Sequence, residues 1–256
     1  MKITVLVDNN TLIDRYYLGE PALSFLLETE GRVILFDTGY SDVLIRNAEM
    51  MGIDLSKVDT IILSHGHNDH TGGLRYLKDY LKQDVEVKCH PDANAFQQYE
   101  GLEVGTPVDL EELPENFHLR YTSDPLWLTQ KLLYLGEIER TVQPLRKLEE
   151  DSLMDDTALA YVDKERVSVI TGCSHSGICN IIAQAMELTG VNEIDTVIGG
   201  FHLLDNEAQT EELCDYLKGV KVRQMIPCHC TDLKARIRLA QVADVRETGV
   251  SDIIDL

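Results

Sequence analysis

The sequence predicts an α/β (α+β) protein of two mixed sheets packed face to face with helices outside. Three observations carry this reading. Short apolar strands come in runs, helical stretches with a one-sided apolar stripe follow them, and the order occurs in both halves of the 256 residues. A chain of this length buries roughly 70–75% of the surface its unfolded form exposes, so no external staple is needed.

Residues 3–8 read as a first strand. The apolar run there is short, stops at Asp8 and has no small-residue cleavage pattern after it, which argues against a signal peptide and for a cytoplasmic protein. Residues 22–28 and 31–36 are a strand pair joined by a tight turn at Glu30-Gly31. Ser41 can cap a helix over 42–51, with Leu44, Ala48 and Met51 on one face and Gly52 as its stop. A buried strand at 61–63 precedes a helix from about 71–73 to Tyr80, then a strand at 85–89 and a short helical segment after Pro91.

From about 100 to 150 the pattern weakens. Pro107, Pro114, Pro125, Pro144 and the lone Trp127 mark this stretch as an irregular insertion or lid on a single 1–256 domain. Regularity returns with strands at 157–162 and 167–171, and a helix at 177–189 with Ile178, Ile181, Ile182 and Ala185 on one face. A strand at 194–199, a helix near 206–218, a strand at 222–227 and a final helix-strand pair complete the chain.

Composition narrows the function. No stretch approaches the ~18–20 apolar residues of a bilayer span, so membrane residence is not expected. The formal net charge of −21 repels phosphodiester backbones, and no Lys/Arg cluster offsets it; nucleic acid is not the expected partner. Acidity alone also keeps a protein soluble. The six cysteines are scattered and read as reduced thiols rather than a disulfide framework.

Ser64-His65-Gly66-His67-Asn68-Asp69-His70 packs four metal-capable side chains into six positions after a buried strand. In an extended turn His65 and His67 point one way, while Asp69 and His70 swing to a second point, so one loop can serve two ions. A merely solvated loop would not concentrate three histidines and an aspartate there. Gly66, Gly72 and Gly73 let backbone bend closely around the ions.

His-x-His-x-Asp-His, preceded by Phe36-Asp37-Thr38-Gly39 and followed by Thr71-Gly72-Gly73-Leu74, resembles the signature of the metallo-β-lactamase superfamily. Thr171-Gly172-Cys173-Ser174-His175-Ser176-Gly177, Gly199-Gly200-Phe201-His202-Leu203 and Pro227-Cys228-His229-Cys230-Thr231 resemble one branch, the 7,8-dihydropterin-6-yl-methyl-4-(β-D-ribofuranosyl)aminobenzene 5′-phosphate synthase-like proteins. The resemblance covers nearly the whole chain. It implies a four-layer αβ/βα sandwich holding two divalent ions, zinc first, with manganese or iron also suited to the donors. His65, His67 and His175 would bind one ion, and Asp69, His70 and His229 the other. Members of the superfamily usually add a bridging aspartate after a strand ending in Gly-Asp; here that strand ends Gly172-Cys173, leaving Cys173, His175 or His202 to compensate.

Other roles follow from position. Asp69 would orient the attacking water, and His202 is either a ligand or a donor to the leaving group. Asp37 reads as an acceptor that orients a liganding histidine. His118 reads as a surface residue and His90 as an edge of the substrate pocket. Gly172-Cys173-Ser174-His175-Ser176 approaches a nucleophile elbow but lacks its final glycine. His67 stands where redox di-iron relatives resemble a glutamate-bearing pattern, which counts against oxygen reduction. The expected function is a hydrolase acting on a small-molecule ester, lactone or phosphoester. The alternatives are a transferase condensing a dihydropterin diphosphate with 4-(β-D-ribofuranosyl)aminobenzene 5′-phosphate, and a non-catalytic metal or ligand sensor.

Overall fold

A computed structural model of the protein describes residues 1–142 and 153–256. These form two compact units: residues 1–123, 153–155 and 249–255, and residues 124–142, 156–248 and 256.

In the first unit, β1 (Lys2–Val7), β2 (Ser24–Thr29) and β3 (Arg32–Phe36) make an antiparallel meander. Glu30 at φ +47° and Gly31 at φ +80° join β2 to β3 with two left-handed residues, the turn that matches the natural twist of a hairpin. Helix α1 (Val43–Met51) ends as expected at Gly52, whose left-handed backbone brings its N–H onto Ala48 and Glu49 carbonyls. Ser41 lies one residue outside the cap position, which Asp42 occupies without a side-chain bond. The Ser41 hydroxyl instead accepts from Val43 N–H at 3.3 Å and donates to Glu20.

Strand β4 (Thr60–Ile62) then runs parallel to β3. The single helix expected up to Tyr80 is two, α2 (Asn68–Thr71) and α3 (Leu74–Tyr80), interrupted where Gly73 N–H bonds to the Gly39 carbonyl at 3.0 Å. Strand β5 (Val85–Cys89) is parallel to β4. A small hairpin, β6 (Gln98–Tyr99) and β7 (Leu102–Glu103), follows, and β8 (Phe117–Tyr121) adds to β5 in parallel.

The second unit opens with β9 (Leu126–Trp127), β10 (Leu132–Tyr134), β11 (Ala158–Asp163) and β12 (Arg166–Thr171), paired antiparallel in that order. Helix α4 (Ile178–Thr189) crosses to β13 (Glu193–Gly200), and α5 (Glu207–Tyr216) to β14 (Val222–Cys228), both parallel to their predecessors. Helix α6 (Leu233–Leu239) follows, and β15 (Ile253–Asp255) returns to the first sheet beside β1. The first sheet therefore runs β15-β1-β2-β3-β4-β5-β8 and the second β14-β13-β12-β11-β10-β9.

Strands β7, β8, β9 and β10 fall in the stretch expected to be irregular. Pro114 and Pro125 stand just before β8 and β9, so the breaks between short strands masked the strands themselves. The rest of the insertion-or-lid reading falls partly on residues 143–152, outside the described residues.

Each unit has its own apolar core. Leu35, Leu44, Ile61, Leu74, Leu77 and Val87 anchor the first; Ala160, Val169, Ile181, Ile182, Val197 and Met225 anchor the second. Each large aliphatic side chain fully withdrawn from water contributes about 1.5–3 kcal/mol, which fixes the strands and with them the loops at their ends. Among the described residues no helix is long and apolar enough to cross a membrane.

Candidate metal centre

Parallel strands joined by helices deliver their carboxyl ends to one edge of a sheet, and loops there are where α/β proteins bind ligands. In the first unit that edge receives Asp37 after β3, His65–His70 after β4 and His90 after β5. Asp37, His65 and His70 are all buried.

One hydrogen-bonded chain sets the direction of two imidazoles. Asp37 Oδ1 accepts from Ser64 N–H at 2.7 Å, and Oδ2 accepts from the Ser64 hydroxyl and from His70 Nδ1, each at 2.7 Å. A hydroxyl has one proton, and Ser64 has spent it on Asp37. Its oxygen, 2.9 Å from His65 Nδ1, is left to accept from that ring. Both rings thus carry their proton on Nδ1 and offer the Nε2 lone pair, the form in which imidazole binds metal.

The donor atoms converge. His70 Nε2 is 3.7 Å from Asp69 Oδ2. The His65 ring centroid is 4.6 Å from that of His67 and 4.2 Å from that of His70. Lone pairs crowded this closely favour a shared cation, so the residues fit the divalent ions that the fold family implies.

Neighbouring loops clamp this segment. Thr38 bonds to the His70 carbonyl through both its N–H (2.7 Å) and its hydroxyl (2.9 Å). A Cβ on Gly73 would lie 2.1 Å from the Thr38 carbonyl oxygen, and one on Gly66 would lie 2.4 Å from that of Ala93; neither position tolerates a side chain. Asp155 accepts from Gly66 N–H at 2.6 Å and from Gln97 Nε2 at 3.1 Å. Asp155 escaped the sequence reading. Its only signal was an acid pair, Asp155-Asp156, directly before the apolar run of β11.

His90 caps the 3-10 turn Pro91–Asn94, accepting from Asp92 N–H at 3.1 Å, which gives its ring a structural task. His118 is half exposed beside Asp84, the surface position expected of it.

In the second unit, loops after the parallel strands β12, β13 and β14 carry Cys173–His175, His202 and His229-Cys230. Backbone strain collects there: Ser174 (φ +60°), His202 (φ +48°) and His229 (φ +48°) are left-handed without being glycine. Such conformations cost of order 1–3 kcal/mol each and persist where surrounding structure dictates them. The His175 and His202 rings lie 4.3 Å apart by centroid. Cys173 and His229 have donor atoms within 4.8 Å of each other, as do Cys173, His202 and Cys230.

The serines beside His175 are committed elsewhere. Ser174 Oγ donates to the Gly200 carbonyl at 2.7 Å and meets Thr171 Oγ1 at 2.9 Å, while Ser176 N–H and hydroxyl both donate to Asp156. Neither is poised as a nucleophile, and the N-cap of α4 is Gly177.

The thiols divide by environment. Burial pushes Cys89, with help from Asp155, and Cys179, with help from Glu212, up to about 12. For Cys230 burial acts the same way and is the largest single influence, but hydrogen bonds with Cys173 and His202 and the charges of His229 and His202 outweigh it. The thiol falls well below its ordinary range. As one of six scattered cysteines, Cys230 carries no local sequence signal for such an environment.

Residues 18–182 match the family model described as the metallo-β-lactamase superfamily. The chain belongs to that superfamily, and its mixed α/β fold is the superfamily's. Within it, the chain is 32% identical to the 7,8-dihydropterin-6-methyl-4-(β-D-ribofuranosyl)-aminobenzene-5′-phosphate synthase of Methanocaldococcus jannaschii, over 92% of this chain and 89% of that one. An uncharacterised protein of the same organism is 28% identical over 99% of this chain and its own full length. Among solved structures, Tm1679, a metal-dependent hydrolase of the β-lactamase superfamily, superposes with a TM-score of 0.85 at 26% identity, covering 100% of this chain and 99% of that one.

Proposed function

We propose that the protein is a cytoplasmic, zinc-using hydrolase of a small-molecule ester, lactone or phosphoester, with phosphorylated substrates favoured. The observation that carries this is the Asp37–Ser64–His65 and Asp37–His70 chain, which presets two imidazole lone pairs beside the Asp69 carboxylate. Likeness to a metal-dependent hydrolase over the whole chain supports the reaction class.

His65, His67 and His175 would hold one ion, and Asp69, His70 and His229 the second. When bound, such ions would supply Lewis acidity and lower the pKa of a bound water. Asp69, whose carboxylate is more exposed than the buried rings around it, orients the attacking water and holds a proton at Oδ2. His202, half buried on its loop, is either a further ligand or the proton donor to the leaving-group oxygen. Asp37 and Ser64 keep the histidine rings from turning as charge develops.

A second reading is the transferase named in the Methanocaldococcus relative, favoured by 32% identity along 92% of the chain. Incubating the zinc-loaded protein with generic phosphodiesters and lactones, and separately with the dihydropterin diphosphate and ribofuranosylaminobenzene phosphate pair, separates the two. Turnover of the first set alone supports the hydrolase; condensation of the pair overturns it. Bound metal with no turnover on either panel overturns both in favour of a sensor.

A further inference from the structure

The six ligands assigned to the two ions are nitrogen and oxygen donors, yet the second unit brings sulfur together as well. Cys173, His202 and Cys230 sit on loops after three adjacent parallel strands, and one donor atom from each lies within 4.8 Å of the others. We propose that these three residues form a sulfur-rich metal subsite selective for a thiophilic divalent ion.

The spacing suits this. Donors at ~2.0–2.3 Å from a tetrahedral zinc are separated from one another by roughly 3.3–3.8 Å, so a cluster within 4.8 Å closes on an ion through small side-chain rotations. Each coordinating thiol gives up its proton to solvent as the bond forms.

The surrounding backbone is built to admit the sulfur. A Cβ on Gly200 would lie 2.5 Å from Cys230 Sγ and 2.6 Å from the Gly172 carbonyl oxygen, so only glycine leaves room there. His202 N–H donates to Cys230 Sγ at 3.3 Å, and Cys230 Sγ lies 3.6 Å from the Cys173 carbonyl oxygen, which tie the three loops to one another. His202 holds its left-handed φ of +48° within this arrangement. Thiolate donors exclude magnesium and calcium in favour of zinc, iron or cobalt.

The hydrolase reading and this subsite stand or fall separately in one experiment. Full-length protein stripped with a chelator is titrated with Co²⁺ without oxygen and followed by electronic absorption. The wild type is expected to show near-ultraviolet sulfur-to-cobalt charge transfer, reduced in Cys173→Ser and in Cys230→Ser, absent in the double variant and unchanged in Cys228→Ser. Visible ligand-field bands from histidine-bound cobalt remain in the double variant, which also reports that it has folded. Cobalt bound by the wild type without charge transfer overturns the subsite and leaves the hydrolase intact. Charge transfer that survives in the double variant overturns it too, and absence of any cobalt binding removes both. Cadmium-113 NMR of the wild type needs no substitution: a resonance in the sulfur-ligated range supports the subsite, and resonances only in the nitrogen and oxygen range overturn it.

Discussion

Asp37 Oδ2 lies 2.7 Å from His70 Nδ1, with both side chains fully buried. The carboxylate stands at the end of one strand and the imidazole on the loop after the next, so the pairing of β3 with β4 sets the direction of the His70 lone pair. Removing that control without removing the ring is a direct test.

Asp37→Asn keeps the shape of the side chain but loses one acceptor oxygen, so His70 and Ser64 compete for the one that remains. Zinc affinity is expected to fall about 10–100-fold, the usual effect of losing a partner behind a liganding histidine. Competition with a chromophoric chelator measures it, and an unchanged affinity would show that Asp37 has no part in orienting the ring.

His67→Ala is expected to abolish activity and lower bound metal, because a nitrogen donor is lost from the loop while the Asp37 chain is untouched. Elemental analysis of the purified variant, paired with turnover, checks both. Full activity refutes the ligand assignment.

Gly73→Ala places a methyl group 2.1 Å from the Thr38 carbonyl oxygen, a backbone atom that cannot rotate away. Destabilisation of about 1–3 kcal/mol or more is expected from the overpacking. Urea denaturation gives the value, and a variant as stable as wild type would mean that the loop is looser than described.

Asp59 bonds to Arg32 and to Val33 N–H. Burial works to raise its pKa, but these bonds and the Thr60 hydroxyl together hold it below the ordinary 3.8. A depressed carboxylate stabilises the fold above its unfolded pKa and loses that contribution as pH falls through the folded value. The stability gap between wild type and Asp59→Asn should therefore be full at neutral pH and shrink only once pH drops below about 4. Denaturation curves across the acid range test the sign: a gap that widens in acid contradicts it.

Cys228→Ser is expected to be mild toward metal. Cys228 ends β14 fully buried, and the donor clusters of this unit use Cys173 and Cys230 instead. A large loss of bound metal in this variant would move the sulfur donor to the wrong side of His229.

The sequence by itself determined the loop of His65, His67, Asp69 and His70, most strand positions and the stop of α1 at Gly52. Each of these is written locally: four donors within six residues, runs of apolar side chains at the period of a strand, and a glycine where the backbone turns left-handed. Ser41 missed its cap position by one residue, and β8, β9 and β10 were hidden because short strands between prolines carry too few residues for a period to show. Only the tertiary structure decided the rest. Asp155 reaching Gly66, and Cys173, His202 and Cys230 meeting across three loops, bring together residues separated by tens of positions; for the last three, the pairing of β12, β13 and β14 makes the loops neighbours. Spacing along a chain fixes what one element can present, whereas the order of strands in a sheet fixes which elements present it together.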